Sequence, residues 1–229
     1  MSKIKKKIIA IGGVGITPES DKSLDLFILN QLKNMKNDIG LLATASKDDE
    51  EKISSYYKRF ENTNSELSHF NLTSSVNGFS EWPLSKDLVY VGGGNTSFML
   101  EIWKKNNLEE IFRIAYEKGI ILTGVSAGAV CWFDWILSDS TGPGFKPLKG
   151  INLIEGSCTP HSSNVERINK FEFNIKNNKL PNGVAIDDGV AVVFIDGKPT
   201  EVYSSINNHN AYFLDKNTKI NLKEYIKNI

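Results

Sequence analysis

Gly119-Ile120-Ile121-Leu122-Thr123-Gly124-Val125-Ser126-Ala127-Gly128-Ala129 runs from an apolar stretch to a serine set between glycines, then into helix-compatible residues. This order predicts a buried strand ending in a tight turn, with Ser126 at its point and a helix after it. Such a turn needs small neighbours, because the backbone reverses close to flanking elements and the N–H groups beyond it must stay within reach of a developing negative charge. The pattern G-x-S-x-G also occurs as a plain glycine-rich connection between strand and helix. The rest of the chain has to decide between a structural turn and a nucleophile elbow.

Working outward, Lys6-Lys7-Ile8-Ile9-Ala10-Ile11-Gly12-Gly13 suits a buried strand leaving into a flexible loop, and Leu24, Phe27, Ile28, Leu32 and Met35 then repeat at helical spacing. Ile39 to Thr44 reads as a second strand, followed by Asp48 and Glu51 as a capping box before Ile53, Tyr56, Tyr57 and Phe60. A third strand is expected near Leu67 to Leu72. A fourth, Leu88-Val89-Tyr90-Val91, runs straight into Gly92-Gly93-Gly94-Asn95-Thr96, and helices around Phe98 to Trp103 and Leu108 to Glu117 lead to the strand that delivers Ser126. Alternating apolar strands and helices predict an α/β fold with a parallel sheet covered on both faces. Beyond Pro181 three short apolar runs are separated by Asp187-Asp188-Gly189 and Asp196-Gly197-Lys198-Pro199, which are hairpin signals. The expected architecture is therefore a mostly parallel sheet with antiparallel strands at its C-terminal edge.

With 229 residues, of which 40% are hydrophobic and 24% charged, the chain is expected to form a single domain over residues 1–229. Lys plus Arg and Asp plus Glu both number 27, so no net charge draws the chain to nucleic acid or to an anionic membrane. Cys131 and Cys158 show no metal-ligand spacing, and His69, His161 and His209 are dispersed. No disulfide scaffold, metal site or cofactor is expected. The apolar segment Ile8 to Ile16 is broken by Gly12, Gly13 and Gly15 and reads as a strand rather than a signal peptide, and no run reaches membrane-spanning length. A cytoplasmic location is the default expectation.

A serine nucleophile needs a base, and His161 in Cys158-Thr159-Pro160-His161-Ser162-Ser163-Asn164 is the best placed. Ile151 to Ile154 reads as the strand after the elbow helix, so His161 falls beyond a strand's C-terminal end, where open α/β sheets carry their sites. His69 sits inside an expected strand and His209 in a polar turn. For the oxyanion, Ala127 supplies one backbone N–H and the Gly92-Gly93-Gly94 run offers a second that no side chain shields. The alternatives for that run are a flexible turn or a phosphate cradle. No Gly-Lys-Ser/Thr follows it, and Gly12-Gly13-Val14-Gly15 lacks the third glycine and downstream acid of a dinucleotide site.

With Val91 to Thr96, Gly124 to Ala129 and Pro160-His161 in this order, the chain resembles the peptidase E family of serine peptidases, which includes aspartyl dipeptidases and cyanophycinases. The resemblance implies a fold similar to class I glutamine amidotransferases, a flavodoxin-like three-layer sandwich in which serine replaces the amidotransferase cysteine. It implies Ser126 as nucleophile, His161 as general base, and N–H groups near Gly93 or Gly94 and at Ala127 as the oxyanion hole. Family dipeptidases of this kind favour an N-terminal aspartate. Two acids compete for the third place. Asp139 resembles an acid assigned to the charge relay in the family, yet a helix over 127–137 would carry it about 20 Å from Ser126. Asp188 stands where related enzymes carry the carboxylate that orients the histidine, with Asp187 beside it as a further candidate. Asn95, Thr96 and Arg167 are candidates for substrate binding, though Arg167 also fits a solvated position on a helix from Asn164 to Ile175. Trp132 and Trp135 are expected as core residues of the elbow helix. The resulting expectation is a serine peptidase acting on small peptides, as monomer or homodimer. Its rivals are an amidase or cyanophycinase-type hydrolase, and a non-catalytic amidotransferase-like binding module. A cysteine-dependent glutaminase is disfavoured, since Cys131 falls on the helix away from the turn.

Overall fold

A computed structural model describes residues 4–13, 22–32 and 36–228; Val14, Gly15, Ile16 and Met35 lie outside the described residues. The chain begins β1 (Lys7–Ile11), α1 (Ser23–Leu29), β2 (Asn37–Leu42), α2 (Glu50–Phe60), β3 (Ser65–His69), β4 (Leu88–Val91), α3 (Thr96–Lys105) and α4 (Glu109–Glu117). It continues through β5 (Ile121–Val125), α5 (Ala127–Val130), β6 (Phe133–Ser138), β7 (Lys146–Lys149), β8 (Ile154–Thr159) and α6 (Val165–Lys176). The last elements are β9 (Gly183–Ile186), β10 (Val190–Ile195), β11 (Lys198–Ser204), β12 (Ala211–Leu214), β13 (Lys219–Asn221) and α7 (Leu222–Lys227).

Among the described residues these strands form two sheets, ordered β11-β10-β1-β5-β4-β2-β3 and β13-β12-β9-β8-β6-β7. In the first, β1, β5, β4, β2 and β3 are mutually parallel, and β10 and β11 complete one edge in antiparallel fashion. In the second, β6, β8 and β9 are parallel, flanked by antiparallel β7 on one side and β12 and β13 on the other. The architecture is a mostly parallel α/β sandwich of flavodoxin-like form, with a second sheet that local patterning does not announce. Asp196-Gly197 is the hairpin turn its composition predicts, with φ of 50° and 81° and Ile195 opposite Lys198. Asp187-Asp188-Gly189 is not a hairpin. It carries the chain from β9 in the second sheet to β10 in the first, because β9 finds its partners in β8 and β12.

The elbow helix is also shorter than its sequence suggests. It ends at Val130, and Phe133-Asp134-Trp135-Ile136-Leu137 becomes a strand bonded to both β7 and β8. Aromatic and β-branched residues suit a pleated surface with partners on both sides, and that tertiary pairing overrides the helical start. Trp132 is fully buried in the link, whereas Trp135 lies half-buried on β6 under the Lys149 ammonium, 4.1 Å from its ring centre. Smaller differences follow the same cause. The strand before His161 starts at Ile154 and runs to Thr159, three residues later than its apolar signal. The cap of α2 is Asp49, which accepts from the Lys52 N–H at 2.9 Å, while Asp48 accepts from both the N–H and the hydroxyl of Thr73.

One face of the first sheet packs Ile9, Ile11, Leu41 and Tyr90 beneath α1 and α2, where Asp25 and Arg59 form a buried ion pair. Its other face joins Ile8, Ala10, Val89 and Leu122 to α3, α4 and the second sheet's Phe133, Ile136, Val184 and Ile186. Phe133 meets Phe194 edge-on across the two sheets, with ring centres 5.4 Å apart. Burying such side chains fully is worth roughly 1.5–3 kcal/mol each, so this shared core is what fixes one sheet against the other. α6 covers the outer face of the second sheet through Phe171 and Ile175. The C-terminal ends of β5 and β8 consequently meet, one from each sheet. Among the described residues no helix is long and apolar enough to cross a membrane.

Candidate active site

β5 ends at Val125, and the next residue is held in a conformation L-residues rarely adopt, with φ 55° and ψ −111° at Ser126. Such a backbone costs on the order of 1–3 kcal/mol and persists only where its surroundings over-determine it. They do so here. The Ser126 N–H donates to the Ile11 carbonyl at 2.9 Å, and the Ser126 carbonyl accepts from Ala129 and Val130 at 3.0 and 3.2 Å. The flanking glycines let β4 approach. A Cβ on Gly124 would lie 2.5 Å from the carbonyl oxygens of both Val91 and Gly128, and one on Gly128 would collide with the Val91 carbonyl.

His161 lies two residues past β8, its backbone in the left-handed region at φ 51° and its N–H donated to the Gly12 carbonyl at 3.2 Å. Its ring joins two partners. Nε2 is 2.8 Å from Ser126 Oγ, and Nδ1 is 2.5 Å from Asp188 Oδ1. The hydrogen bond from His161 holds the Asp188 carboxyl below its ordinary value of 3.8, a pull reinforced by the imidazole's charge and opposed by burial. An ionised Asp188 can only accept, so Nδ1 carries the proton and Nε2 is left to accept from the serine hydroxyl. The Ser163 hydroxyl reaches the second Asp188 oxygen at 3.4 Å. In this order the imidazole can take the serine's proton while the carboxylate stabilises the resulting cation.

The other acids sit elsewhere. Asp187 is buried and turned away from the imidazole, accepting from the Ser162 hydroxyl at 2.6 Å and the Asn210 N–H at 2.9 Å. Asp139 is not stranded at the end of a long helix. Because β6 folds back from the elbow, it comes to the wall of the same cavity as Ser126, but its bond is to Arg167 Nη2 at 2.9 Å rather than to His161.

That cavity, about 260 Å³ in volume, is lined by Gly94, Thr96, Ser126, Asp139, His161 and Arg167, among others. Arg167 is not a solvated helix position: it is 6% exposed, and its guanidinium lies 4.4 Å from the centre of the Phe145 ring. Asn95 is exposed and caps α3, its Oδ1 accepting from the Phe98 N–H and the Ser97 hydroxyl, both at 2.9 Å. Gly93 lies against the serine, where a Cβ would touch Ser126 Cβ at 3.4 Å. Among the described residues the Gly93 and Gly94 N–H groups have no backbone acceptor, whereas Gly92 and Asn95 on either side donate to Leu42 and Ala45. Ala127 opens α5, so its N–H is one of the helix's unpaired first donors.

Sequence reasoning missed two neighbours of the histidine. A Cβ on Gly13 would collide with Asp188 Oδ1 and come within 2.6 Å of His161 Nδ1, so Gly13 makes room for the imidazole and its acid, while Gly12 admits the Ile186 and Asp187 carbonyls. The signal is the adjacent Gly12-Gly13 itself, which the sequence offers as a flexible exit or a dinucleotide turn. His209 donates from Nδ1 to the Asp188 carbonyl at 2.7 Å, a contact that no spacing in the sequence announces. Both thiols are fully buried, which pushes Cys131 and Cys158 well above the usual range and leaves no thiolate near the turn.

The model of the family described as peptidase family S51 matches residues 8–202. The chain belongs to peptidase family S51. As an S51 member it is a serine-type peptidase, a hydrolase. It is 38% identical over 210 residues to the "Uncharacterized peptidase YgaJ" of Bacillus subtilis (strain 168), a match covering 90% of this chain and 91% of that one. Its fold is shared with a crystal structure of a peptidase from an acI-B1 Actinobacterium, at a TM-score of 0.70 and 16% identity, over 96% of this chain and 94% of the other. A candidate peptidase E protein from Listeria monocytogenes EGD-e aligns at a TM-score of 0.57 and 17% identity, covering 95% and 98% of the two chains.

Proposed function

We propose that this S51 peptidase hydrolyses short peptides through a Ser126-His161-Asp188 triad. The observation that carries the reading is the continuous series from Ser126 Oγ to His161 Nε2 at 2.8 Å and from Nδ1 to Asp188 Oδ1 at 2.5 Å. Ser126 attacks the scissile carbonyl, His161 takes the hydroxyl proton and returns it to the leaving amine, and Asp188 holds the ring and its charge. The tetrahedral oxyanion is received by the Ala127 N–H and by that of Gly93 or Gly94; one such donor contributes about 10²–10³ in rate. Water then resolves the acyl-enzyme by the same proton route.

The substrate is a short peptide whose N-terminal residue is aspartate. Support comes from the small cavity and from Arg167, whose planar guanidinium spends one donor on Asp139 and has others to offer a carboxylate. Thr96, buried in the cavity wall, is placed for a polar contact with the substrate, and Asn95 holds the helix start beside it. The test is twofold. A fluorophosphonate should label the wild type and fail on Ser126→Ala, and aspartyl dipeptides should be cleaved faster than alanyl or β-aspartyl ones, an advantage that Arg167→Met removes. Faster cleavage of β-aspartyl peptides would favour the cyanophycinase-type reading instead.

A further inference from the structure

Two consecutive carboxylates follow β9, and only Asp188 touches the imidazole. Asp187, 5% exposed, spends both oxygens in the opposite direction, on the Ser162 hydroxyl and the Asn210 N–H. Ser162 directly follows His161, whose backbone sits at φ 51° without being glycine. The N–H of Ser162 donates to the Ile186 carbonyl at 3.1 Å, so the loop after β8 is pinned to the end of β9 by backbone and side chain together. Asn210 belongs to the segment 205–210, where the chain passes from β11 in the first sheet to β12 in the second. That segment is tied along the whole 187–189 turn. Asp187 N–H donates to the Asn210 carbonyl at 3.0 Å, His209 Nδ1 to the Asp188 carbonyl at 2.7 Å, and the Ser205 N–H and hydroxyl to the Gly189 carbonyl at 2.9 and 3.0 Å. Two of the three crossings between the sheets, β9 to β10 and β11 to β12, therefore lie side by side, and Asp187 is the group that fastens the histidine's loop to them.

We propose that Asp187 is a positioning residue for the peptidase reaction, acting through Ser162. Its buried, hydrogen-bonded carboxylate holds the loop in which His161 keeps a left-handed backbone, and so keeps the ring between Ser126 and Asp188. The inference rests on reading His161 as the base. A hydrogen bond to a carboxylate is shorter and stronger than one between neutral groups, and a misplacement of about 1 Å at a reacting group costs roughly 10²-fold in rate. Among the described residues, the charged and titratable groups around the imidazole include Asp188 on Nδ1, Asp187 and His209 on the far side of the same turn, and Asp139 and Arg167 in the wall of the shared cavity.

The decisive variants are Ser162→Ala, Ser162→Thr and Asp187→Asn, assayed on an aspartyl amide as purified full-length chains at a temperature where circular dichroism shows each folded. Ser162→Ala should lower kcat by about tenfold or more, between no effect and the full 1 Å loss, with KM changed less than about twofold. Ser162→Thr keeps the hydroxyl and should restore most of kcat, and Asp187→Asn should fall between wild type and Ser162→Ala. Wild-type kcat in Ser162→Ala would overturn the proposal, as would equal losses in the Ala and Thr variants. Should Asp187→Asn not fold, the Ser162 pair decides alone. A fully active His161→Ala would instead overturn the reading of the base, whereas an inactive His161→Ala beside an unimpaired Ser162→Ala would sink only the positioning role.

Discussion

Gly13→Ala places one methyl group where the imidazole and its acid meet. Gly13 lies outside the left-handed region, so alanine is conformationally allowed there, and the cost arises at the contact alone. The new Cβ would stand 2.6 Å from His161 Nδ1, where ordinary contact begins at 3.4 Å, and it would collide outright with Asp188 Oδ1. The ring has to retreat by about 0.8 Å and the carboxylate by more, and together these movements spoil the 2.5 Å bond between them. A displacement near 1 Å at a reacting group corresponds to about 10²-fold in kcat, with KM changed much less because Thr96 and Arg167 of the cavity wall stay in place. Overpacking of this kind destabilises by about 1–3 kcal/mol, which is a fall of roughly 2–12 °C in Tm for a chain of this length. The assay is kcat on an aspartyl amide together with the rate of fluorophosphonate labelling, checked against thermal unfolding. A folded Gly13→Ala within threefold of the wild-type rate would refute the claim that Gly13 exists to seat His161 and Asp188.

Other outcomes follow from the same geometry. Ser126→Ala should lose labelling entirely and lower kcat by at least about 10³-fold without unfolding the chain. Asp188→Asn should cost about 10³–10⁴-fold through the wrong tautomer, while Asp139→Asn, bonded to Arg167 and not to the ring, should keep kcat within about tenfold and show its effect in KM. Because the folded Asp188 carboxyl titrates below its ordinary 3.8, its contribution to stability is present above that pH and is lost as pH falls further. Chemical denaturation should therefore show the gap between wild type and Asp188→Asn closing only below about pH 4. Iodoacetamide should leave activity intact and modify Cys131 and Cys158 only on unfolding, since burial keeps both thiols protonated.

Much of the first sheet is legible in the chain because its strands are buried on both faces and read as continuous apolar runs. Ile8 to Ile11, Leu88 to Val91 and Ile121 to Val125 each stop at or beside glycine. The elbow is legible for a related reason, since Gly124 and Gly128 are demanded by the approach of β4, and close approach has a single residue type to draw on. The second sheet is not. Whether Val184-Ala185-Ile186 pairs with the strand after it or with one far away is a non-local choice, and Asp187-Asp188-Gly189 is as good a crossing as a hairpin. β6 hides behind a helical start, because Ala127 to Val130 favours a helix and the partners that claim Phe133 to Ser138 come later in the chain. That error had a consequence at the site: the long helix seemed to carry Asp139 far off, whereas the strand brings it to the cavity wall. From sequence the partner of His161 stays open among Asp188, Asp187 and Asp139, since Asp187 and Asp188 differ only in which way a single turn faces them and the place of Asp139 depends on where the elbow helix ends.

Ser126 stands on the first sheet and His161 on the second, so the 2.8 Å bond between them is also a bond between layers. No backbone ladder joins β5 to β8. The separation of serine and histidine is set by their backbone bonds to the adjacent Ile11 and Gly12 carbonyls and by side chains such as Phe133 and Phe194 pressed together between the sheets. With Ser126 and His161 as the proposed nucleophile and base, turnover in this molecule is a gauge of interior fit. A change deep in the core that shifts one layer by a fraction of an ångström is registered as rate at the rim, before any loss of fold reveals it.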